Sequence, residues 1–309
     1  MTDISTLPRH TELVVEVSTG DTLFVRDFGP PDAPAVIYHH GTPSSSLEIP
    51  GGWGGVPPGV RLVTFDRPGY GDSPNRPGRL VGDAGAWSAA IADALGIDRF
   101  AVMGTSGGGP HVAAAAATLG DRITRSCVSV GLGPAGLPGF DWEPGMPAET
   151  VDEMRRARTG ESSLRPFIEE LMGRDDPLAE WMEQLPPSDQ EILGRPEVVP
   201  EEEANTERAL GGGWEGWLED DLAFFHRAWG VDLADTTAET LLLYGAADVL
   251  VPAAHGDAMR TAIGHGVVVK VPGAGHWMRD VEPAVLRWLT AGDDRPFVLD
   301  ERSTGPGRR

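Results

Sequence analysis

Ser106, His276 and Asp248 have the residue types and the neighbours that acyl transfer requires. Ser106 lies in Gly104-Thr105-Ser106-Gly107-Gly108, a Gly-x-Ser-x-Gly pattern between the apolar run Phe100–Met103 and a small-residue run from about Pro110. A strand leading in and a helix leading out force a sharp, strained turn at the serine, which lifts its hydroxyl clear of the sheet. Residues two before and two after then crowd together, and Gly104 and Gly108 are small enough for that. A serine hydroxyl is a weak nucleophile until a base takes its proton. Of the eight histidines, His276 is the best placed base: Pro272-Gly273-Ala274-Gly275-His276-Trp277 follows the last strand-like run and precedes the last helix-like one. His39 and His40 end an early strand, and His40 also begins a loop it can help to shape. His111 opens the helix after the serine, and His10, His226, His255 and His265 fall in loops or helices, so packing or surface roles are expected for these seven. The imidazole needs an acceptor on its second nitrogen, to fix its tautomer and stabilise its charge. Asp248, in Gly245-Ala246-Ala247-Asp248 just past a strand end, meets that need. The other strand end where such an acid could stand offers only Gly131-Leu132-Gly133-Pro134.

The tetrahedral intermediate of such a reaction carries an oxyanion that preorganised N–H groups stabilise. The N–H of Gly107 is one expected donor. The second is expected from the loop His40-Gly41-Thr42-Pro43-Ser44-Ser45-Ser46, and since Pro43 has no N–H, from Thr42. The run Gly107-Gly108-Gly109 is unusually small, which predicts extra room beside Ser106. The histidines lack metal-ligand spacing and no Gly-x-Gly-x-x-Gly follows the first strand, so neither a metal nor a cofactor is expected.

These groups need a frame, and the hydrophobic pattern supplies one. Leu13–Val17 and Thr22–Phe28 read as a hairpin around Thr19-Gly20-Asp21. The runs 35–38, 61–65, 100–103, 123–130, 241–244 and 267–271 are short, continuously apolar and bounded by turn residues, as strands buried on both faces are. Helical stretches at 84–95, 112–119 and 283–289 separate them, and Trp87, Ile91 and Leu95 mark one apolar face. Strands alternating with helices give an α/β fold with a mostly parallel sheet.

One stretch breaks this rhythm. Between Gly136 and Gly230 the chain is helix-prone and free of strand-like runs, and it carries 23 acidic against 8 basic residues out of a whole-chain net charge of −22. It reads as a helical insertion covering the sheet, its acid forming a solvated surface or repelling anionic substrates, with Gly211-Gly212-Gly213 as a flexible joint. The expected organisation is a core in two parts, 1–135 and 234–292, an insertion at 136–233, and a tail at 293–309 that frays. Five of the nine tryptophans lie in the insertion, and with Phe140, Phe167, Phe224 and Phe225 they can line an apolar pocket. Trp142, Trp214 and Trp217, together with Trp277 beside the base, are the expected substrate contacts, and a hydrophobic acyl or alcohol group is the expected cargo.

The chain of 309 residues is 40% hydrophobic and 23% charged, enough for a packed core. The strong negative charge makes nucleic acid a poor partner. Cys127, the only cysteine, lies in an apolar run and reads as a buried structural thiol. No basic segment with an apolar stretch opens the chain, and no run of about 18 apolar residues occurs, so a soluble cytoplasmic protein that does not span a membrane is expected, as a monomer or homodimer.

The pieces His40-Gly41-Thr42-Pro43, Asp66-Arg67-Pro68-Gly69-Tyr70-Gly71-Asp72-Ser73, the turn at Ser106, Gly245-Ala246-Ala247-Asp248 and Gly275-His276 occur in an order that resembles the α/β-hydrolase superfamily, in its branch with a helical cap. The resemblance covers about residues 36–278. It implies a mostly parallel twisted sheet flanked by helices with an inserted cap, and a triad in the chain order Ser106, Asp248, His276. The segment 66–73 looks like a structural turn. Relatives that cleave epoxides or haloalkanes use a carboxylate nucleophile, so a serine implies a carbonyl centre, with ester or lactone hydrolysis first. Proline iminopeptidase-like amide cleavage, carbon–carbon bond hydrolysis and perhydrolysis remain open on the same scaffold. So does a small-ligand-binding protein that hydrolyses little, since fold does not fix function.

Overall fold

The computed structural model describes residues 4–174, 181–293 and 295–299. Among these, eight strands form one sheet in the order β1-β2-β4-β3-β5-β6-β7-β8. β1 (His10–Glu16) and β2 (Thr22–Phe28) form the expected antiparallel hairpin, and β2 also runs antiparallel to β4 (Arg61–Phe65). From β4 onward every pairing is parallel, through β3 (Ala35–His39), β5 (Phe100–Thr105), β6 (Ile123–Ser129), β7 (Glu239–Gly245) and β8 (Val267–Val271). β3 and β4 are buried along their whole length, β5 and β6 at all but one residue each and β7 at all but its first, which is why those runs carry no polar alternation. β8 departs from the expectation of two-sided burial. It is the outermost strand, with a neighbour on one side only, and Val267 is 54% exposed.

α1 (Ala84–Ala94) and α2 (Gly108–Leu119) pack on one face of the sheet, where Trp87, Ile91 and the alanines of α2 join Ile37, Val63 and Val102. Alanine at successive turns lets α2 lie close to β5 and β6. Between β6 and β7 the chain leaves the sheet for helices that, among the described residues, include α3 (Ala148–Thr159), α4 (Glu161–Met172), α5 (Pro187–Leu193), α6 (Val198–Leu210) and α7 (Glu215–Asp221), followed by a π-helical turn at Leu222–His226. α6 ends against Gly211, so the triple glycine joins α6 to α7. α8 (Ala254–Ile263) returns to the α1–α2 face, and α9 (Glu282–Leu289) covers the opposite one with Trp53 and Tyr38. Residues 300–309 of the tail expected to fray lie outside the described residues, whereas Phe297 and Leu299 pack against the α9 side of the core. Among the described residues, no helix is long and apolar enough to cross a membrane. Cys127 is buried within β6, and burial pushes its thiol up.

The inserted helices have a core of their own, built from Ala157, Leu164, Phe167, Ile168, Trp217, Leu218 and Leu222. Their acid is only partly a solvated surface. Asp189, Glu219, Asp220 and Asp221 are all buried. Glu153 of α3 and Asp221 of α7 share a hydrogen bond, and the Trp217 indole donates to Glu153 at 2.7 Å. Burial raises both carboxyls, Glu153 to about 7, and Asp221 is raised further by the charge of Glu153. Such a pair contributes stability that is present in acid and is lost as pH rises through about 7, where the folded protein must ionise a group it prefers neutral. Glu153→Gln keeps the shape without the charge. Thermal melts from about pH 5 to about pH 8 should show the wild type losing about 2 °C or more relative to this variant.

Candidate active site

The C-terminal ends of β3 to β8 deliver every sequence-predicted catalytic residue to one edge of the sheet, next to the point between β3 and β5 where the strand order reverses. Ser106 follows β5 with φ 55°, a left-handed conformation that a side chain with a Cβ rarely takes. Its N–H donates to Ser129 O at 2.9 Å and its carbonyl accepts from Gly109 N at 2.9 Å, so the turn is clamped to β6 on one side and to the start of α2 on the other. Crowding is as the pattern requires: a Cβ on Gly104 would lie 2.8 Å from Gly108 O, and one on Gly108 would lie 2.0 Å from His39 O. Ser106 remains half-buried, within reach of solvent.

The glycines after Ser106 do not open space, contrary to the sequence expectation. A Cβ on Gly107 would meet Thr42 Oγ1 at 2.2 Å and the Phe224 ring at 3.2 Å, and one on Gly109 would meet Gly131 Cα at 2.5 Å. The residues are small because β3, β6 and the inserted helices press against the elbow.

Asp248 accepts the Leu250 and Val251 N–H groups on Oδ1, at 2.8 and 2.9 Å, which fixes the carboxylate. Its Oδ2 lies 2.8 Å from His276 Nδ1. An ionised carboxylate only accepts, so Nδ1 carries the proton and Nε2 is left as the basic nitrogen. Burial disfavours the charged ring, but the charge and hydrogen bond of Asp248, with smaller contributions from Asp189 and Glu48, outweigh it and raise His276 above the ordinary histidine range. Among the described residues, no hydrogen bond joins Ser106 Oγ to His276 Nε2. That link is commonly long without substrate in place.

The loop after β3 brings Thr42 against Gly107. Arg67 donates to Gly41 O at 2.7 Å and to Thr42 Oγ1 at 2.9 Å, and His40 accepts the Arg67 N–H at 3.1 Å while its Nδ1 bonds Gly41 O at 2.7 Å. Glu48 accepts the Gly41 N–H at 2.7 Å and the Tyr38 hydroxyl at 2.5 Å. Asp66, buried at the end of β4, accepts the Ser46 N–H at 2.7 Å and pairs with Arg208 at 2.5 Å. The segment 66–73 is thus a brace.

The inserted helices supply residues that sequence reasoning missed. Asp220 accepts from the Thr42 hydroxyl (2.6 Å), the Tyr70 hydroxyl (2.8 Å) and Arg67 (2.6 Å), and also pairs with Arg79. Although burial opposes its charge, the two arginines hold this carboxyl well below the usual range. Asn205 accepts the Ser45 N–H at 3.0 Å and donates to Ser44 Oγ at 3.0 Å. Asp189 accepts the backbone N–H groups of His276 and Trp277, at 2.9 and 3.1 Å. No local pattern marks these three, because their partners are 87 to 178 residues away.

The expected substrate contacts separate in space. Trp277 is half-buried beside His276, with ring centroids 5.3 Å apart, and faces Trp181. Trp142 is buried in the main core against Phe225, its carbonyl bonded to His255. Trp217 belongs to the inserted helices' own core, and Trp214 packs against it under Arg165. Of the phenylalanines, Phe224 stands beside the elbow, Phe167 lies in the inserted core and Phe140 packs on His255.

Residues 34–283 match the family described as the alpha/beta hydrolase fold. The chain is 26% identical over 287 residues to a non-heme chloroperoxidase of Burkholderia pyrrocinia, covering 87% of this chain and 95% of that protein. It is 32% identical over 151 residues to a non-heme chloroperoxidase of Streptomyces lividans, a match spanning 46% of this chain and about half (53%) of that relative. Among solved structures, a thermophilic esterase from Thermogutta terrifontis superposes with a TM-score of 0.62 at 21% identity, over 90% of this chain and 98% of that one. With the family match extending from β3 to the start of α9, the chain belongs to the α/β-hydrolase family and is an enzyme of the hydrolase class.

Proposed function

We propose that this enzyme is a serine hydrolase that opens a carboxylic ester or lactone of a hydrophobic small molecule through an acyl-enzyme. The observation that carries the reading is the 2.8 Å Asp248–His276 bond at the same sheet edge as a serine held at φ 55°. In this reading His276 Nε2 takes the Ser106 proton as Oγ attacks the carbonyl carbon. The N–H groups of Gly107 and Thr42 receive the oxyanion, and His276 then protonates the leaving oxygen. Water, deprotonated by the same histidine, releases the acid and restores Ser106. The inserted helices act as a cap, and Phe224 beside Gly107 with Trp277 beside His276 supports an apolar acyl or alcohol site.

A second reading is favoured by the likeness to the two chloroperoxidases and to a bifunctional esterase/perhydrolase of Acinetobacter calcoaceticus, 29% identical over 148 residues. Hydrogen peroxide in place of water would attack the same acyl-enzyme and release a peracid.

A panel of p-nitrophenyl esters and lactones tests the first reading. Ser106→Ala should lower kcat on the order of 10⁴-fold or more, and surviving activity would remove the serine from the mechanism. Peracid formation from a short-chain carboxylic acid and peroxide, lost in the same variant, would establish the second. Because His276 must be neutral to act and its imidazole is raised, the acid limb of kcat/KM should fall above about pH 6.5. Phe224→Ala should shift preference toward longer acyl chains, and an unchanged chain-length profile would place the pocket elsewhere.

A further inference from the structure

We propose that Asp189, carried by α5 of the inserted helices, is a positioning residue for the base: its carboxylate holds the backbone of His276 and thereby aims the imidazole at Ser106. The proposal rests on the serine-hydrolase reading above, in which His276 is that base.

Three observations carry it. Asp189 is fully buried, and its two oxygens go to consecutive backbone groups of the histidine loop, Oδ2 to His276 N–H at 2.9 Å and Oδ1 to Trp277 N–H at 3.1 Å. A carboxylate that bridges two successive N–H groups fixes the peptide plane between them, and with it the Cα–Cβ direction of His276. The loop has been emptied of side-chain volume to admit the contact. A Cβ on Gly275 would lie 2.2 Å from Asp189 Oδ2, and one on Gly245 would lie 2.0 Å from Gly275 O. The loop is therefore gripped between the end of β7 and the carboxylate of an element that enters the chain more than eighty residues earlier. Finally, α5 meets the loop a second time at the rim, where Arg195, just past the helix, pairs with Asp280 at 2.8 Å.

The base faces charge from three elements: Asp248 after β7, Asp189 from α5 and Glu48 from the loop after β3. All three favour the imidazolium, so a change at Asp189 has an electrostatic signature as well as a geometric one. Burial raises the Asp189 carboxyl, and the two N–H bonds and the His276 charge pull it back.

The test compares wild type, Asp189→Asn and Ser106→Ala on one p-nitrophenyl ester, measuring kcat, KM and the pH dependence of kcat/KM. In Asp189→Asn a single amide oxygen must serve two N–H groups, so kcat should fall about tenfold to 100-fold while KM stays within about threefold. The acid limb should move to lower pH, because a neutral amide no longer favours the imidazolium. A kcat within about twofold of wild type, with Ser106→Ala inactive, would overturn the role of Asp189 and leave the serine reading standing. A fallen kcat with an unmoved acid limb would make Asp189 a packing residue and overturn it equally. Activity surviving in Ser106→Ala would overturn both readings at once. Should Asp189→Asn fail to fold, Gly275→Ala is the second test. Its Cβ must push the carboxylate off the two N–H groups, and wild-type kcat in that variant would overturn the proposal.

Discussion

The left-handed backbone at Ser106 is the constraint around which the rest is arranged. A residue with a Cβ sits in that region at a cost on the order of 1–3 kcal/mol, and it persists only when the surroundings over-determine it. Here the surroundings are explicit. The Ser106 N–H is committed to β6, its carbonyl to the start of α2, and glycines at 104, 107, 108 and 109 let β3, β6 and Thr42 close in on the turn. The parallel register of β3, β5 and β6 is what brings His39, Gly104 and Val128 level with one another, and thus places the loops that follow around the same hydroxyl.

The inserted helices are bound to this edge by buried polar groups as well as by apolar contact. Asp220 reaches the loop after β3, Asn205 holds the same loop two residues on, and Asp189 holds the histidine loop. Each is a buried polar atom whose removal would leave its partners unsatisfied, which costs far more than the net gain of forming the bond. Asp220 is the extreme case, since Arg67 and Arg79 are both fully buried on it. Breaking such a cluster from one side costs about 3–5 kcal/mol, because it strands charge in a low-dielectric interior. Polar contacts of this kind fix a single seating for the helices, whereas apolar packing alone tolerates many.

Charge density in the insertion therefore has two physical meanings. Exposed pairs such as Asp152–Arg156 and Glu161–Arg165 lie on solvated helix faces, where each is worth little. The buried acids at 189, 219, 220 and 221 define geometry, and the Glu153–Asp221 pair places two carboxyls that burial raises beside Trp217 of the insertion's own core.

The sequence by itself determined the sheet, the hairpin, the elbow and the Asp248–His276 pairing, because each is written in local patterns: continuous apolar runs, turn residues, and a Gly-x-Ser-x-Gly between a strand and a helix. It left α8 unread, since the face that Ala254–Ile263 buries is made of His255, Gly256 and Ala258 with only Met259 and Ile263 as large apolar residues. It read the small residues after Ser106 as space, although they are small because backbone and side chains from three other elements fill that volume. It grouped Trp142, Trp214 and Trp217 of the insertion with Trp277 by type, and tertiary structure separated Trp217 in an internal core from Trp277 beside His276. Only the tertiary structure decided that Asp189, Asn205 and Asp220 hold the loops that carry Thr42, Ser45 and His276. Contacts between residues 87 to 178 positions apart leave no periodicity in the chain, and a buried carboxylate is spelled with the same letter as a solvated one.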